Sequence, residues 1–190
     1  MATKAGHYRT GPDRWEIDSS PEAIRRQTEQ SLRDLRVERI DLHQLHRPDP
    51  KVPIEESVAA LKELQDETGG FRAFFSWTFQ SDGNRLSAKV PRETMPTSFD
   101  YLLTQAVSRI YLDNMPHIGS SWVTQGKKIG QVALGFGADD LGSVMIEENV
   151  VSAAGTTHRT SAEELAHLIR AIGKTPVQRD TLYRDVKIWN

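Results

Sequence analysis

Three adjacent polar residues in the second half of the chain have side chains that could do acid–base chemistry. Glu147, Glu148 and Asn149 follow a short apolar segment with the pattern of a buried strand. A carboxylate at the carboxyl end of such a strand can act as a general acid or base. The alternative is that these residues are solvated charges at a strand end. We name all three as candidate ligand contacts because of their position.

A loop of small residues, 152–157 with the sequence SAAGTT, follows directly. Backbone N–H groups of such a loop can bind an anion, as loops near the end of many (βα)-barrels do. Gly155 and Thr156 are the residues that we expect to make this contact. The alternative is a plain connection that binds nothing.

His43 and His46 have a spacing that suggests metal binding. On a strand, however, residues three positions apart point to opposite faces, so one ion is not easily held by both. The chain also has no cysteine. Disulfides, zinc–thiolate sites and cysteine-ligated iron–sulfur clusters therefore have no ligands in it. We expect no metal site and no cofactor.

Composition excludes several classes of partner. The 190 residues carry a net charge of −2, with basic residues spread along the chain, so we expect no nucleic-acid binding. We find no apolar run of the roughly 20 residues needed to cross a bilayer and no secretory signal at the start. The sequence predicts a cytoplasmic protein without a membrane role.

Helices and strands alternate through the first third of the chain. Ser20 is a good N-cap, Pro21 suits the first helical position, and apolar residues at helical spacing continue to about Arg36. Residues 39–46 alternate as a strand does. Pro53 opens a second helix, which Gly69 and Gly70 close.

The same alternation continues to the end of the chain. We predict strands at 71–79, 117–124 and 142–146, and helices at 98–114 and 127–136, with a polar loop between 81 and 97. A last helix begins at a capping box formed by Ser161 and Glu164 and ends at Gly173. With residues 2–4 as a clipped first strand, the chain has five βα units.

The five units predict one α/β domain, residues 1–190, that forms a partial barrel derived from the TIM barrel with about five parallel strands. The alternative is a flavodoxin-like open, doubly wound sheet. An open barrel exposes two strand edges, so a homodimer that pairs these edges is a possible assembly.

Residues 2–66 resemble the aldo-keto reductases, barrel enzymes that reduce carbonyls with a nicotinamide cofactor. The matching strings are ATK at 2–4, SPE at 20–22, SLR at 31–33 and IDLHQLHR at 40–47. The resemblance implies that Lys4 and His46 are two members of a catalytic Asp, Tyr, Lys and His tetrad at strand ends. The Asp, the Tyr and the cofactor-holding segments have no counterpart here, so we expect a vestigial pair.

Residues 61–183 resemble the radical-SAM cyclases of the futalosine route to menaquinone. The matching strings are WTFQ at 77–80, YLDN at 111–114, SWVTQG at 121–126, VMIEENVVSAAGTTH at 144–158 and QRDTLY at 178–183. The resemblance implies a [4Fe–4S] cluster on three cysteines, which this chain lacks. It also makes Gln80 and Gln125 candidate ligand contacts.

Five aromatic residues in this region allow two interpretations. They could form a stacking platform for a nucleoside base, but aromatic residues at strand spacing more often lie in the core. We favour the core for those that face inward. The five are Phe74, Phe75, Trp77, Phe79 and Trp122.

The two resemblances overlap at 61–67, inside a predicted helix that suits both families, so we infer a chimera joined there. We expect a non-catalytic chimeric or engineered barrel fragment whose content is structural. The alternative is an enzyme or enzyme remnant of either family that binds a nucleoside-like or nicotinamide ligand at the carboxyl ends of the strands.

Overall fold

Two units make up the chain, Met1–Phe71 and Arg72–Asn190. The computed structural model describes residues 2–40, 42–46, 49–81, 95–144, 153 and 158–189. In its described part, each unit contains one pair of parallel strands, one antiparallel hairpin and the helices that follow the strands. None of the described helices has the length and apolarity needed to span a bilayer.

The first unit has four strands and two helices in its described part. The elements are β1 (Ala2–Ala5), β2 (His7–Gly11), β3 (Arg14–Ile17), α1 (Pro21–Leu35), β4 (Leu42–Leu45) and α2 (Ile54–Thr68). β1 and β4 are parallel, with Ala5 opposite Leu45. β2 and β3 form an antiparallel hairpin that the sequence analysis did not predict. Asp13 takes a positive φ of 57° in the turn between them, a conformation in which Asn and Asp are enriched.

Both helices of this unit begin and end as predicted. The Ser20 hydroxyl accepts a hydrogen bond from the Ala23 N–H (3.3 Å), and Arg36 ends α1 in a left-handed conformation. Gly69 ends α2 at φ 56°, where a residue without a Cβ avoids a steric penalty. Local capping chemistry therefore sets these boundaries.

The two helices pack through a small apolar core. Ile24 of α1 is fully buried against Ala60 and Leu64 of α2, and Leu45 of β4 and Phe71 contact this cluster. A buried polar contact lies beside it, where the Ser57 hydroxyl donates to the Ser19 carbonyl (2.7 Å). The second helix is thus anchored at the start of α1 as well as along its side.

The second unit contains the remaining elements. They are β5 (Ala73–Phe75), α3 (Ser98–Tyr111), β6 (His117–Gly119), α4 (Trp122–Gln125), α5 (Lys127–Ala133), α6 (Ala162–Ala171), β7 (Val177–Arg179) and β8 (Asp185–Ile188). β5 and β6 are parallel, with Phe75 opposite Gly119, and Gly119 also forms a parallel bridge with Asp140. β7 and β8 form an antiparallel hairpin.

Three strand predictions in this unit need correction. The strand predicted at 71–79 is shorter, since β5 spans only Ala73–Phe75. The predicted strand at 117–124 ends at Gly119, because the Tyr101 hydroxyl on α3 accepts the Ser121 N–H (2.7 Å) and the chain then turns into α4. In the predicted strand at 142–146, residues 142–144 are not strand, and the rest lies outside the described residues. The parallel contact falls earlier, at Asp140.

The architecture is therefore mixed α/β with short parallel strand pairs, consistent with a partial TIM-barrel-like fold. A five-stranded barrel is not confirmed. In the described part of the chain each sheet has two strands, so the choice between a partial barrel and a flavodoxin-like sheet stays a prediction.

The core of the second unit lies between its helices. Tyr101, Trp122, Leu134 and Leu165 are among its buried members. Gln105 is fully buried with them, and its amide donates to the Tyr101 hydroxyl (2.6 Å) and to the Gly119 carbonyl (2.9 Å). The amide nitrogen therefore ties α3 to β6, whereas the amide oxygen is buried without a hydrogen-bond partner among the described residues.

Gly119 is the position at which the packing of β5 on β6 is most sensitive. A Cβ added there would lie 1.8 Å from Cε1 of Phe75. Gly119→Ala should destabilise the protein by about 1–3 kcal/mol, the usual cost of overpacking, in urea denaturation followed by tryptophan fluorescence.

The matched control is Gly11→Ala in β2, where the new Cβ would meet only Arg14 at 4.0 Å. Combining Gly119→Ala with Phe75→Ala should recover part of the loss, since the clashing ring is gone. Equal losses of stability in Gly119→Ala and Gly11→Ala would contradict this account of the packing.

Candidate functional site

Lys4 and His46 both lie near the carboxyl ends of the parallel pair β1–β4. Lys4 is exposed and opposite Gln44 in the register, and His46 follows β4 directly, where its N–H donates to the Ala5 carbonyl (2.8 Å). The Nδ1 atoms of His46 and His7 are 3.2 Å apart. The sequence analysis did not select His7. The feature that could have indicated it is its position two residues after β1.

His43 and His46 contact different neighbours. Nε2 of His43 is 2.9 Å from the Thr28 hydroxyl of α1, and its ring is 6.2 Å from that of Phe71. Burial lowers the pKa of His43 below its ordinary value. Among the described residues no group of three or more His, Cys, Asp or Glu side chains could hold a metal ion.

The neutral state of His43 can be tested by NMR titration. Because burial favours the uncharged ring, the midpoint of its ring-proton titration should lie below pH 6.5, the ordinary pKa. The stabilisation by this group is present above pH 6.5 and is lost as the pH falls. His43→Phe identifies the ring-proton signals of His43 by their absence. The variant should also lack the loss of stability that His43 causes as the pH falls. A midpoint at or above 6.5 would contradict the burial effect.

Gln80 and Gln125 converge on one hydroxyl group at the carboxyl ends of β5 and β6. The Gln125 amide donates to Oγ1 of Thr78 (2.6 Å), and the Gln80 amide donates to the same oxygen (3.1 Å). Thr78 follows β5, whereas Gln125 ends α4, the short helix after β6. We call Thr78, Gln80 and Gln125 the amide cluster. Sequence reasoning missed Thr78, although it lies in the WTFQ string.

His158 lies beside the amide cluster. Gly126, the residue after Gln125, has φ 81°, and a Cβ added there would lie 3.2 Å from Cε1 and 3.3 Å from Nε2 of His158. The imidazole therefore packs on the backbone of Gly126 at a place where only glycine leaves room. This brings the ring of His158 against the residue that follows Gln125.

The other predicted ligand contacts cannot be placed. Glu147, Glu148, Asn149, Gly155 and Thr156 all lie outside the described residues. The acid–base and anion-binding roles suggested for them stay predictions.

A charged cluster lies beside β6. The Arg179 guanidinium donates twice to Oδ2 of Asp140 (2.5 and 3.0 Å), and the Tyr183 hydroxyl donates to the same oxygen (2.9 Å). Cζ of Arg179 lies 3.8 Å from the Tyr183 ring centroid, and His117 stacks on that ring at 4.3 Å. We call these four residues the Asp140 cluster.

This cluster changes the ionisation of Tyr183. Burial raises the pKa of Tyr183 well above its ordinary value, and the charge of Asp140 and the hydrogen bond to it raise the pKa further. The cluster attaches the β7–β8 hairpin to the sheet, which is a structural role.

Tyr183→Phe should weaken this attachment. It removes a hydrogen bond to a carboxylate, which typically contributes about 1.5–3 kcal/mol, and urea denaturation at pH 8 should show the loss. The difference from the original protein should narrow as the pH rises above 10, the ordinary tyrosine pKa, because the unfolded Tyr183 then ionises. Tyr111→Phe, at an exposed position, is the control. A difference that stays constant up to pH 11 would contradict the raised pKa of Tyr183.

Comparison with known proteins identifies two families in the sequence. Residues 68–189 match the model of the CofH/MqnC C-terminal region, more than half of the chain. The chain therefore belongs to that family. Residues 1–73 match the aldo/keto reductase family. The predicted two-family composition is confirmed, and the two matches overlap at 68–73, slightly after the predicted join at 61–67.

Individual relatives agree with this assignment. A cyclic dehypoxanthine futalosine synthase from Streptomyces coelicolor is 47% identical over 133 residues, which are 70% of this chain and 32% of that protein. A 5-amino-6-(D-ribitylamino)uracil–L-tyrosine 4-hydroxyphenyl transferase from Methanococcoides burtonii is 40% identical over 137 residues, 70% of this chain and 38% of that protein. The chain thus spans about a third of the length of these relatives.

A solved structure is similar in sequence to part of the chain. A glycerol dehydrogenase from Gluconobacter oxydans is 43% identical, covering 40% of this chain and 25% of that one, with a TM-score of 0.36.

Proposed function

We propose that the second unit is the carboxyl-terminal, ligand-contacting part of a menaquinone-pathway enzyme that acts on a futalosine derivative, and that the amide cluster contacts this ligand. The family match to residues 68–189 and the futalosine synthase relative support the class of ligand. The observation that carries the assignment is the convergence of Gln80 and Gln125 on Thr78.

The chemistry of the cluster suits an uncharged polar ligand. A carboxamide has two N–H donors and a carbonyl acceptor, whereas a hydroxyl can both donate and accept. Thr78 takes one donor from each amide, which fixes the orientation of both side chains. Such groups match the hydroxyls of a sugar and the polar edge of a heterocycle.

The iron–sulfur cluster implied by the radical-SAM resemblance does not fit this chain. Its three thiolate ligands are missing, since none of the 190 residues is cysteine. We therefore assign only ligand binding to the residues of the amide cluster.

The comparisons favour the ligand-binding alternative of the sequence analysis over its main interpretation. The relatives carry the names of biosynthetic enzymes, and nothing in them supports an engineered origin. A nicotinamide ligand in the first unit is a weaker candidate. Lys4 and His46 lie at neighbouring strand ends, but the ring of His46 contacts His7.

Thr78→Val tests the role of the amide cluster. Valine keeps the shape of threonine but removes the oxygen that orients both amides. We expect the dissociation constant for dehypoxanthine futalosine, measured by isothermal titration calorimetry, to rise at least about tenfold, the equivalent of about 1.4 kcal/mol.

Thr104→Val on the exposed surface of α3 is the matched control and should leave the dissociation constant unchanged. The proposal fails if the original protein shows no saturable heat with this ligand. It also fails if both valine variants bind the ligand as the original protein does.

A further inference from the structure

Two imidazole rings of the first unit face each other at the carboxyl ends of β1 and β4. Nδ1 of His7 lies 3.2 Å from Nδ1 of His46, although 39 positions separate the two residues in the chain. The ring centroids are 5.0 Å apart, farther than the nitrogens, so the rings diverge behind two nitrogens that are turned toward each other. The sequence analysis considered only His43 as a partner of His46. The tertiary structure supplies His7 instead.

The backbone holds both histidines in place. The His46 N–H donates to the Ala5 carbonyl (2.8 Å), and His7 comes two residues after Ala5. Gly6, between them, has a left-handed φ of 84°, and its N–H donates to Oε1 of Gln27 on α1 (2.8 Å). The two rings are therefore presented by backbone that is already fixed, and binding an ion between them needs little further ordering.

The distance between the two nitrogens suits two ligands of one metal ion. Imidazole nitrogens bind Zn²⁺ at about 2.0–2.1 Å, so two of them at a right angle or at the tetrahedral angle are about 2.9–3.4 Å apart. The 3.2 Å between His7 and His46 lies within this range. Each ring offers a lone pair at Nδ1 when its proton is on Nε2. Imidazole is a ligand of Cu²⁺, Ni²⁺ and Zn²⁺, whereas Mg²⁺ and Ca²⁺ take oxygen ligands.

We propose that His7 and His46 bind one divalent transition-metal ion, with Cu²⁺ held more tightly than Ni²⁺ or Zn²⁺, as the general order of affinities requires. The described residues contain no cluster of three or more His, Cys, Asp or Glu side chains suited to an ion. Water therefore completes the coordination sphere, which leaves positions for an external ligand. His46 is exposed and His7 is half-buried, so the ion reaches the site from solvent.

Trp15 lies beside this pair and can report on it. Its ring centroid is 5.0 Å from that of His7, and Cu²⁺ at such short range quenches tryptophan emission. The Arg9 guanidinium lies over the same indole, 5.9 Å from its centroid. Its positive charge weakens the binding of any cation nearby. All these residues belong to the first unit, so the proposal does not depend on the amide cluster of the second.

His7→Gln and His46→Gln test the site, with His167→Gln at an exposed position of α6 as the matched control. The probe is copper(II) chloride, titrated into the full chain at neutral pH by isothermal titration calorimetry. The original protein and the control should bind Cu²⁺ with equal dissociation constants. Each of the other two variants should bind it at least about tenfold more weakly, since even the loss of a group that supports a metal ligand has an effect of this size. Mg²⁺ should give no saturable heat.

Trp15→Phe tests the location of the ion. This variant should bind Cu²⁺ as the original protein does in calorimetry. It should lose most of the quenching of tryptophan emission that saturating Cu²⁺ produces, because the indole nearest His7 is gone.

Three results would overturn the inference. They are no saturable heat with Cu²⁺, equal binding by His7→Gln and His167→Gln, and quenching that persists undiminished in Trp15→Phe. Thermal melting without metal shows whether the glutamine variants are folded. If one of His7→Gln and His46→Gln is destabilised, the other decides the outcome, because each removes one of the two ligands.

Discussion

The carboxylate of Asp140 is the interaction on which the arrangement of the second unit depends. Its side chain is 10% exposed and accepts hydrogen bonds from Arg179, Tyr183 and, through Oδ1, the Gly142 N–H (2.8 Å). Its carbonyl accepts the Ser120 N–H (2.7 Å). One residue therefore joins the sheet, the turn after it and the carboxyl-terminal hairpin. Removing one partner from such a buried pair costs more than the pair contributes, since a charge is left without compensation.

Asp139 extends this connection to the helices. Its carboxylate accepts from the Arg109 guanidinium of α3 (2.7 Å), from the Ile118 N–H (2.7 Å), and lies 2.7 Å from Nδ1 of His117. Two consecutive aspartates thus connect a helix, a strand and a hairpin. The amide cluster lies beyond the carboxyl ends of β5 and β6, where Thr78 and Gln125 follow these strands.

The two family regions meet just after α2. That helix packs on α1 through Ala60 and Leu64, so its apolar face belongs to the first unit. Gly69 ends the helix in a left-handed conformation, and the family matches overlap at 68–73. A change of family at a helix end leaves the packed face of the helix intact. The predicted join at 61–67 therefore lay only slightly before the overlap of the two family matches. The packed face of α2 nevertheless belongs to the first unit.

The sequence by itself determined the features that depend on composition and on residues close together in the chain. Ser20 and Gly69 marked helix ends correctly because a cap is formed by residues close in the chain, and the motif strings identified both families. Contacts between distant residues were decided only by the tertiary structure. Gln125 meets Thr78 across 47 positions and His46 meets His7 across 39, and no periodic pattern encodes such pairs. The length of β6 also depended on Tyr101, a residue of another element, and the exposure of Trp77 depended on how the sheet packs.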